Sequence, residues 1–457
     1  MLKLKVMAKK TKQQESLLQL ALIRPCCAAI DIGSMLMVVS YSDIEGNQFV
    51  LESDAFTEDL QSLAHTLAEA GVKEVAMEAT GSYWMGLYHI LEQQGMKLTL
   101  VNPRHFKNVD AQKTDVKDSQ WLHQLHAHGL LRGSHIPAEV YRELRTYLHE
   151  RNLLQKQKSD TLNRIQRLLT EMNIKMQHLI TDIEGVAGMK LLRGIASGIN
   201  VAEDLLALID IKSLKTSKED LLKSLNGNYK SQFIKVLQRQ LMAFDFFKEQ
   251  MRDYELLIEG LLQKMLPENE KEAKIEIKKK TINARKNQYS INVKSYLNHI
   301  VGVDLTEIDG IDEINVLEII SVTGLDMSKW RTADHFTSWL NLSPRPKKSG
   351  GKIIGYDRRI SNNAATQAFR MAAQTMWHNK GPLGLAYKRL SAQRGTKKAI
   401  KAIARKIAVI FYHMIKNKTQ FDKEKLKVDT ARQEAKKIAY LKKEAAKYGF
   451  ALQNIAA

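Results

Sequence analysis

The first hundred residues alternate short apolar runs with polar turns, and this pattern constrains the fold more than any other feature of the chain. Three apolar runs come first, at 28–32, 35–41 and 49–51. Short apolar runs separated by turn residues predict a β-meander. Strands and helices then alternate, with predicted helices at 58–70 and 83–94, strands at 72–77 and 97–101, and another helix from about Asp115. This order predicts a mixed α/β sheet with helices on its faces.

Acidic residues occur at the ends of two of these predicted strands and on the helix after them. Asp31 and Glu78 each end an apolar run and precede small residues, which leave space around the carboxylate. Asp115 and Asp118 are spaced i, i+3, so both lie on one helical face. Four converging carboxylates would repel one another without cations, and such oxygen ligands suit Mg²⁺ or Mn²⁺ rather than Zn²⁺. We therefore predict a two-metal site for phosphodiester cleavage, in an RNase-H/RuvC-like nuclease domain over 27–138.

Each acid alone has an ordinary structural explanation, because aspartate is common in turns and helix caps. An actin-like ATPase also ends its first strand in Asp-x-Gly, but this chain has no Gly-rich phosphate loop of that type. The net charge of +20 indicates a polyanionic partner, with nucleic acid as the leading candidate. We interpret His123, His126 and His128 as surface or interface residues rather than metal ligands.

The ends of the chain and its apolar content predict a cytoplasmic protein. No apolar stretch approaches the length of a bilayer span, so we expect no membrane partner. A Lys-rich segment at 1–26 lacks the features of a secretion signal and is predicted to be a basic arm. The two cysteines, Cys26 and Cys27, are sequence neighbours that we expect to be small buried residues in a reducing compartment.

The middle of the chain is predicted to be helical. Over 139–266 the sequence is rich in charge, and apolar residues from Leu237 to Leu261 recur at steps of three and four. This seam predicts either a helical hairpin with the helix at 144–172 or a dimerising coiled coil, and the sequence leaves both open. A Lys-rich stretch at 267–300 is predicted to be an insertion or linker.

The last region, 301–420, is predicted to be mainly helical, with a charged helical tail at 421–457. Its segment 308–324, a Gly turn before an amphipathic helix, suggests a helix-hairpin-helix that meets a DNA phosphate, although plain helix packing explains it nearly as well. A Lys-Lys-Ser-Gly-Gly-Lys loop at 347–352 is expected to be flexible and basic, and two helices follow it.

Several of these segments together resemble the insertion sequence one-ten family of bacterial transposases. The N-terminal motifs are Ala-Ile-Asp-Ile-Gly at 29–33, Met-Glu-Ala-Thr-Gly-Ser-Tyr at 77–83, Val-Asn-Pro-Arg-His-Phe at 101–106 and Lys-Thr-Asp-Val-Lys-Asp-Ser-Gln-Trp-Leu at 113–122. The likeness continues with Asp-Ile-Glu-Gly-Val-Ala-Gly at 182–188, Leu-Ser-Pro at 342–344 and Ser-Gly-Gly-Lys at 349–352. It covers about 26–420.

The resemblance implies a RuvC-like domain with metal ligands Asp31, Glu78, Asp115 and Asp118, and a C-terminal domain with a nucleophilic serine. That serine corresponds to Ser349, with Ser343 as a distant second candidate, although many relatives have two serines before the Gly pair and this chain has Lys348 there. The residues expected to contact nucleic acid are Lys347, Lys348, Gly350, Gly351, Lys352, Arg358 and Arg359.

The resemblance also implies the partners. They are donor and target DNA, a structured guide RNA encoded by the element, and further copies of the chain in a dimer or tetramer. Location with the bacterial nucleoid follows from these partners. A metal-dependent Holliday-junction resolvase without a covalent step, or a non-catalytic nucleic-acid-binding protein, remains the alternative function.

Overall fold

The computed structural model describes residues 3–4, 21–102, 115–211, 214, 216–268, 288–356, 363–424 and 430–451. The chain divides into two compact units between Ile136 and Pro137. Most of the predicted arm at 1–26, most of the predicted linker at 267–300, and both Arg358 and Arg359 lie outside the described residues. Within the described ranges, no helix is both long and apolar enough to cross a bilayer.

The first unit contains a mixed β-sheet. Its strands are β1 (Lys3–Leu4), β2 (Cys27–Ile32), β3 (Leu36–Ser42), β4 (Gln48–Asp54), β5 (Glu74–Glu78) and β6 (Lys97–Val101). They are arranged in the order β1-β4-β3-β2-β5-β6. Strands β2, β3 and β4 form the antiparallel meander, whereas β5 and β6 continue the sheet parallel to β2. The prediction of a mixed sheet is confirmed.

Helices cover both faces of this sheet. Helices α1 (Thr57–Glu69) and α2 (Trp84–Gln93) pack on one face, where Leu63 and Leu87 share a core with Ile30 of β2. Helix α3 (Asp115–Ala127) packs on the other face through Leu122, which lies in a cluster with Ala29 of β2. Successive side chains of a strand point to opposite faces, so the two cores are built from alternate residues of β2 and β5.

The second unit is mainly helical. Its helices are α4 (Glu139–Glu171), α5 (Val186–Ala196), α6 (Ala202–Ala207), α7 (Lys218–Leu225), α8 (Ser231–Lys264), α9 (Val293–Val301), α10 (Glu313–Thr323), α11 (Ala333–Trp339), α12 (Ala364–Thr375), α13 (Pro382–Arg394), α14 (Thr396–Asn417) and α15 (Thr430–Lys447). A two-stranded hairpin of β7 (Pro346–Ser349) and β8 (Lys352–Tyr356) precedes α12. In the described part of the chain, three helices follow the 347–352 segment before the tail, where two were predicted, and the tail contains α15.

Helices α4 and α8 form an antiparallel hairpin within the chain. Leu162 of α4 shares a core with Leu241 near the start of α8, whereas Leu148 shares a core with Ile258 near its end. Between these two cores a fully buried ion pair joins Arg151 to Glu255, with Nη2 and Oε1 2.8 Å apart. Of the two arrangements that the apolar seam allowed, the chain forms the intramolecular hairpin.

Two predictions for this unit were wrong. The stretch 267–300 was predicted to be an insertion or linker, but its residues 288–300 belong to the core, because Tyr289 and Val293 are buried with residues of α10 to α14. The apolar spacing of Val293, Tyr296, Leu297 and Val301 makes α9 an amphipathic helix. Helix α10 is not amphipathic, because almost every residue from Val316 to Thr323 is buried. A helix with apolar residues on most of its faces packs inside the core.

Candidate functional site

Asp31 and Glu78 lie side by side on neighbouring parallel strands. The pairing of β2 with β5 places Ile30 opposite Met77, and each acid is the next residue along its strand. Asp31 is two residues after Ala29, and Glu78 is two residues after Ala76. The two alanines pack on the α3 face of the sheet, so the acids project from that same face. Adjacent strands are about 4.8 Å apart, so the two carboxylates leave the same face as close neighbours.

The residues after each acid make close contacts near the carboxylate. Gly33 donates its backbone N–H to the carbonyl oxygen of Leu36 over 3.0 Å. A Cβ on Gly33 would meet that oxygen at 2.6 Å, so the turn that ends β2 beside Asp31 requires glycine. Glu78 is buried, and the hydroxyl of Thr80 donates a hydrogen bond to its Oε1 over 2.8 Å.

Helix α3 runs antiparallel to β2. Its last residue, Ala127, accepts hydrogen bonds at its carbonyl from the backbone N–H groups of Ile23 and Arg24, just before β2 begins. Leu122 lies farther along the strand, in the cluster with Ala29. The first turn of α3 is therefore directed toward the strand ends that carry the two acids.

This orientation places the start of α3 on the face of the sheet that carries Asp31 and Glu78, but the described side chains of Asp31, Glu78 and Asp118 do not come together as a three-residue metal-binding group. Asp118 precedes Leu122 by four residues, about 6 Å of helix, and Asp31 follows Ala29 by two residues, about 7 Å of strand. Asp118 is half-buried, and Asp115 begins α3 on the same stripe. The Asp115 side chain lies outside the described part of the structure. Among the side chains that are described, no three His, Cys, Asp or Glu residues are grouped closely enough to hold a metal ion.

The three histidines in and just after this helix were predicted to be surface or interface residues, and their burial contradicts a surface position. His123, His126 and His128 are all buried. His123 lies between two hydroxyls of β3, with Nδ1 3.3 Å from Ser40 Oγ and Nε2 3.2 Å from Ser42 Oγ. The Ser42 hydroxyl donates to the carbonyl of Pro25, so it accepts from His123, which fixes the neutral imidazole with its proton on Nε2.

The buried environment of these histidines disfavours their charged form. Burial, followed by the nearby His126, lowers the pKa of His123 to about 4. Burial, followed by the charge of Arg24, lowers the pKa of His126 to about 4. Both rings are therefore neutral at pH 7. Their packing and hydrogen bonds stabilise the contact between α3 and the sheet.

Ser349 is the last residue of β7, at the tip of the β7–β8 hairpin. The two residues that connect the strands, Gly350 and Gly351, have φ values of 51° and 75°. Two consecutive positive φ angles define the turn that matches the twist of a two-residue hairpin, and the Gly-Gly sequence favours it. The 347–352 segment was expected to be a flexible loop, and this prediction was wrong, because its residues pair as strands with Ser349 opposite Lys352.

The base of the hairpin is held to the helical unit. Arg345 donates through Nη2 to the carbonyl and hydroxyl oxygens of Ser338, at 3.1 and 2.9 Å. Ser343, the second serine candidate, is half-buried and lies 2.9 Å from the hydroxyl of buried Thr337. Ser349 is exposed at the tip. Of the two serines, Ser349 is therefore the one that a large substrate can reach.

The segment 308–324 favours helix packing over phosphate binding. Gly310 has a φ of 87°, and a Cβ there would meet the carbonyl oxygen of Ala372 in α12 at 2.6 Å. The glycine thus allows close contact with protein. Asp312 caps α10 by accepting the N–H of Asn315, and Glu313 follows it, so the helix begins with two acidic residues that would repel a phosphate.

Two segments of the chain match models of known protein families. A family model of the IS110 DEDD transposases, described as a transposase, matches residues 28–174. A second model, described as a transposase of the IS116/IS110/IS902 family, matches residues 304–389. No curated protein matches the chain. The first match contains the four acids and the second contains Ser349, and we conclude that the chain belongs to the IS110 family of transposases.

Proposed function

We propose that this transposase excises and inserts its own DNA element by RNA-guided, site-specific strand exchange. The observation that carries the proposal is the placement of Asp31 beside Glu78, with the first turn of α3 directed toward them. In an RNase-H/RuvC-like domain, Asp31, Glu78, Asp115 and Asp118 would hold Mg²⁺ or Mn²⁺. Their donor set is entirely carboxylate oxygen, which suits these hard cations.

The four acids and Ser349 would have different roles in the cleavage of the phosphodiester. The four acids would hold metal ions, and the chemistry that these would supply is charge stabilisation for the attacking and leaving oxygens of a phosphodiester. Ser349 Oγ forms a bond to phosphorus, the bond from phosphorus to one deoxyribose oxygen breaks, and the serine proton ends on that released oxygen. Reversal of this step on another strand reseals the backbone without loss of bond energy.

The charge of the chain supports a large nucleic-acid substrate. The 70 Lys and Arg outnumber the 50 Asp and Glu, which include the four acids, so a net charge of +20 is available to attract a polyanion. We assign the surface around Ser349, with Lys347, Lys348 and Lys352, to donor and target DNA, and we assign target choice to a guide RNA encoded by the element. Several protomers would act together as a dimer or tetramer.

A plasmid that carries the coding sequence with its flanking DNA provides the test. We expect excised circles to form with the wild-type chain and to disappear with Asp115→Asn and with Ser349→Ala. Deletion of a flanking noncoding region able to fold into RNA should also abolish insertion, and supply of that RNA from a second plasmid should restore it. Wild-type levels of circles with either variant would contradict the proposal.

A further inference from the structure

The pairing within the β7–β8 hairpin separates its lysines by face. Residues directly opposite each other on antiparallel strands project from the same face, and neighbours along a strand project from opposite faces. Ser349 is opposite Lys352, and Lys348 is opposite Ile353. Ser349 and Lys352 therefore share one face, whereas Lys348 projects from the other.

The pairs Ser349–Lys352 and Lys348–Ile353 lie between the Gly-Gly turn and a shift in the strand register. The register shifts between Lys347 and Lys348, so strict alternation is interrupted there. Beyond this shift, the pairs next to the Gly-Gly turn remain in register. Lys352 is thus the lysine placed directly across from the hydroxyl-bearing residue.

The side chains of Ser349 and Lys352 differ in length, so their polar atoms could contact different atoms of one phosphate. The Cβ atoms of directly opposed residues are about 4.5–5.5 Å apart. Lysine has a flexible four-carbon stem with an ammonium at its end, so Lys352 Nζ extends beyond the short Ser349 side chain. A phosphate approached by Ser349 Oγ would present a non-bridging oxygen within reach of that ammonium.

We propose that Lys352 holds a non-bridging oxygen of the phosphate that Ser349 attacks, and that Lys348 contributes only general attraction for DNA. This inference rests on the proposed nucleophilic role of Ser349. Negative charge increases on the non-bridging oxygens as the Oγ–P bond forms, and a fixed cation beside them stabilises that transition state. Lys348, on the opposite face, meets other parts of the DNA backbone.

Two variants that remove the same charge from the same hairpin test the inference. With the full element DNA at saturating concentration, we expect Lys352→Ala to slow covalent adduct formation on the order of 100-fold. Lys348→Ala should weaken DNA binding, and at saturation it should slow adduct formation at least about tenfold less than Lys352→Ala does. Lys352→Arg should recover most of the lost rate, since it restores a cation.

The excision junction identifies the phosphate that is cleaved, and one of its non-bridging oxygens can be replaced by sulfur. The relative cleavage rates of the two resulting diastereomers would not depend on a lysine with a purely structural role. The wild-type chain should discriminate between the two phosphorothioate diastereomers, and Lys352→Ala should lose that discrimination. Equal rate losses in the two alanine variants, or a wild-type rate in Lys352→Ala beside an inactive Ser349→Ala, would overturn this inference alone. An active Ser349→Ala would instead overturn the proposed function.

Discussion

Asp31 and Glu78 are lateral neighbours on parallel strands, one residue past the paired Ile30 and Met77. Two carboxylates in such positions repel each other, because each raises the free energy of the other's charged form. They are held together by the sheet, whose backbone pairing fixes their spacing. A cation between them would offset that repulsion, and removal of one charge would do the same without a cation.

Glu78→Gln should therefore change how the first unit responds to Mg²⁺. At free Mg²⁺ about tenfold above its Kd, binding should stabilise the wild-type unit by about 1.4 kcal/mol. The variant should lose this gain and, without Mg²⁺, be at least as stable as wild type. Urea unfolding with and without Mg²⁺ measures both effects. The matched control is Asp54→Asn, at the exposed end of β4, and full Mg²⁺ stabilisation of Glu78→Gln would contradict the prediction.

Acidification should destabilise the first unit through its buried histidines. The folded pKa of His123 is about 4, below the ordinary value of 6.5, so the unfolded chain binds more protons between these values. Stability is complete above about pH 6.5 and falls as the pH drops toward 4, by about 3 kcal/mol for each such histidine.

Amide hydrogen exchange in β2 and β3, measured from pH 7.5 to 4.5 and corrected for intrinsic rates, reports the loss of stability at these two strands. His123→Gln should make the pH dependence shallower, whereas His178→Gln, at an exposed position, should leave it unchanged. A pH dependence that is the same in all three proteins would exclude His123 as its source.

The buried ion pair of the helical hairpin should matter far more than an exposed one. Arg151 is held by Glu255, which also accepts hydrogen bonds from the backbone N–H and hydroxyl of Ser290, at 2.7 and 2.6 Å. Glu255→Ala leaves a buried guanidinium without its counter-charge and should cost about 3–5 kcal/mol of unfolding free energy in the second unit.

The exposed pair Arg193–Asp245, with Nη2 2.9 Å from Oδ1, provides the control. Arg193→Ala should cost less than about 1 kcal/mol, because solvent screens exposed pairs. Urea denaturation of the second unit gives both values. Similar costs for Glu255→Ala and Arg193→Ala would show that burial of the first pair adds nothing to its strength.

The sequence predicted the strands of the first unit well, because alternation of apolar runs and turns depends only on local order. It also located Asp31 and Glu78 at strand ends. Their lateral pairing was not predictable in this way, since the register of parallel strands depends on the helices that connect them. The direction of α3 likewise depends on the backbone contacts of Ala127 with residues 23–24.

Two of the wrong predictions, for the hairpin at 347–352 and for α10, could have been avoided from the sequence. The Gly-Gly pair at 350–351, between strand-like residues, is a recognised hairpin signal. The apolar residues Val316, Leu317, Ile319 and Ile320 occupy more than one face of the helix, which indicates a helix that buries most of its surface. The burial of His123 had no local signal, because it depends on two serines of β3 that lie far away in the sequence.

The most direct measurement is the capture of a covalent protein–DNA intermediate. Wild-type protein, incubated with its element DNA, flanking RNA and Mg²⁺, should give an adduct that survives SDS and yields a Ser349 peptide joined to a nucleotide. Ser343→Ala should retain the adduct, and Ser349→Ala should lose it. Strand cleavage by Ser349→Ala at the wild-type rate, with no adduct from any protein, would contradict the account and indicate a metal-dependent resolvase without a covalent step.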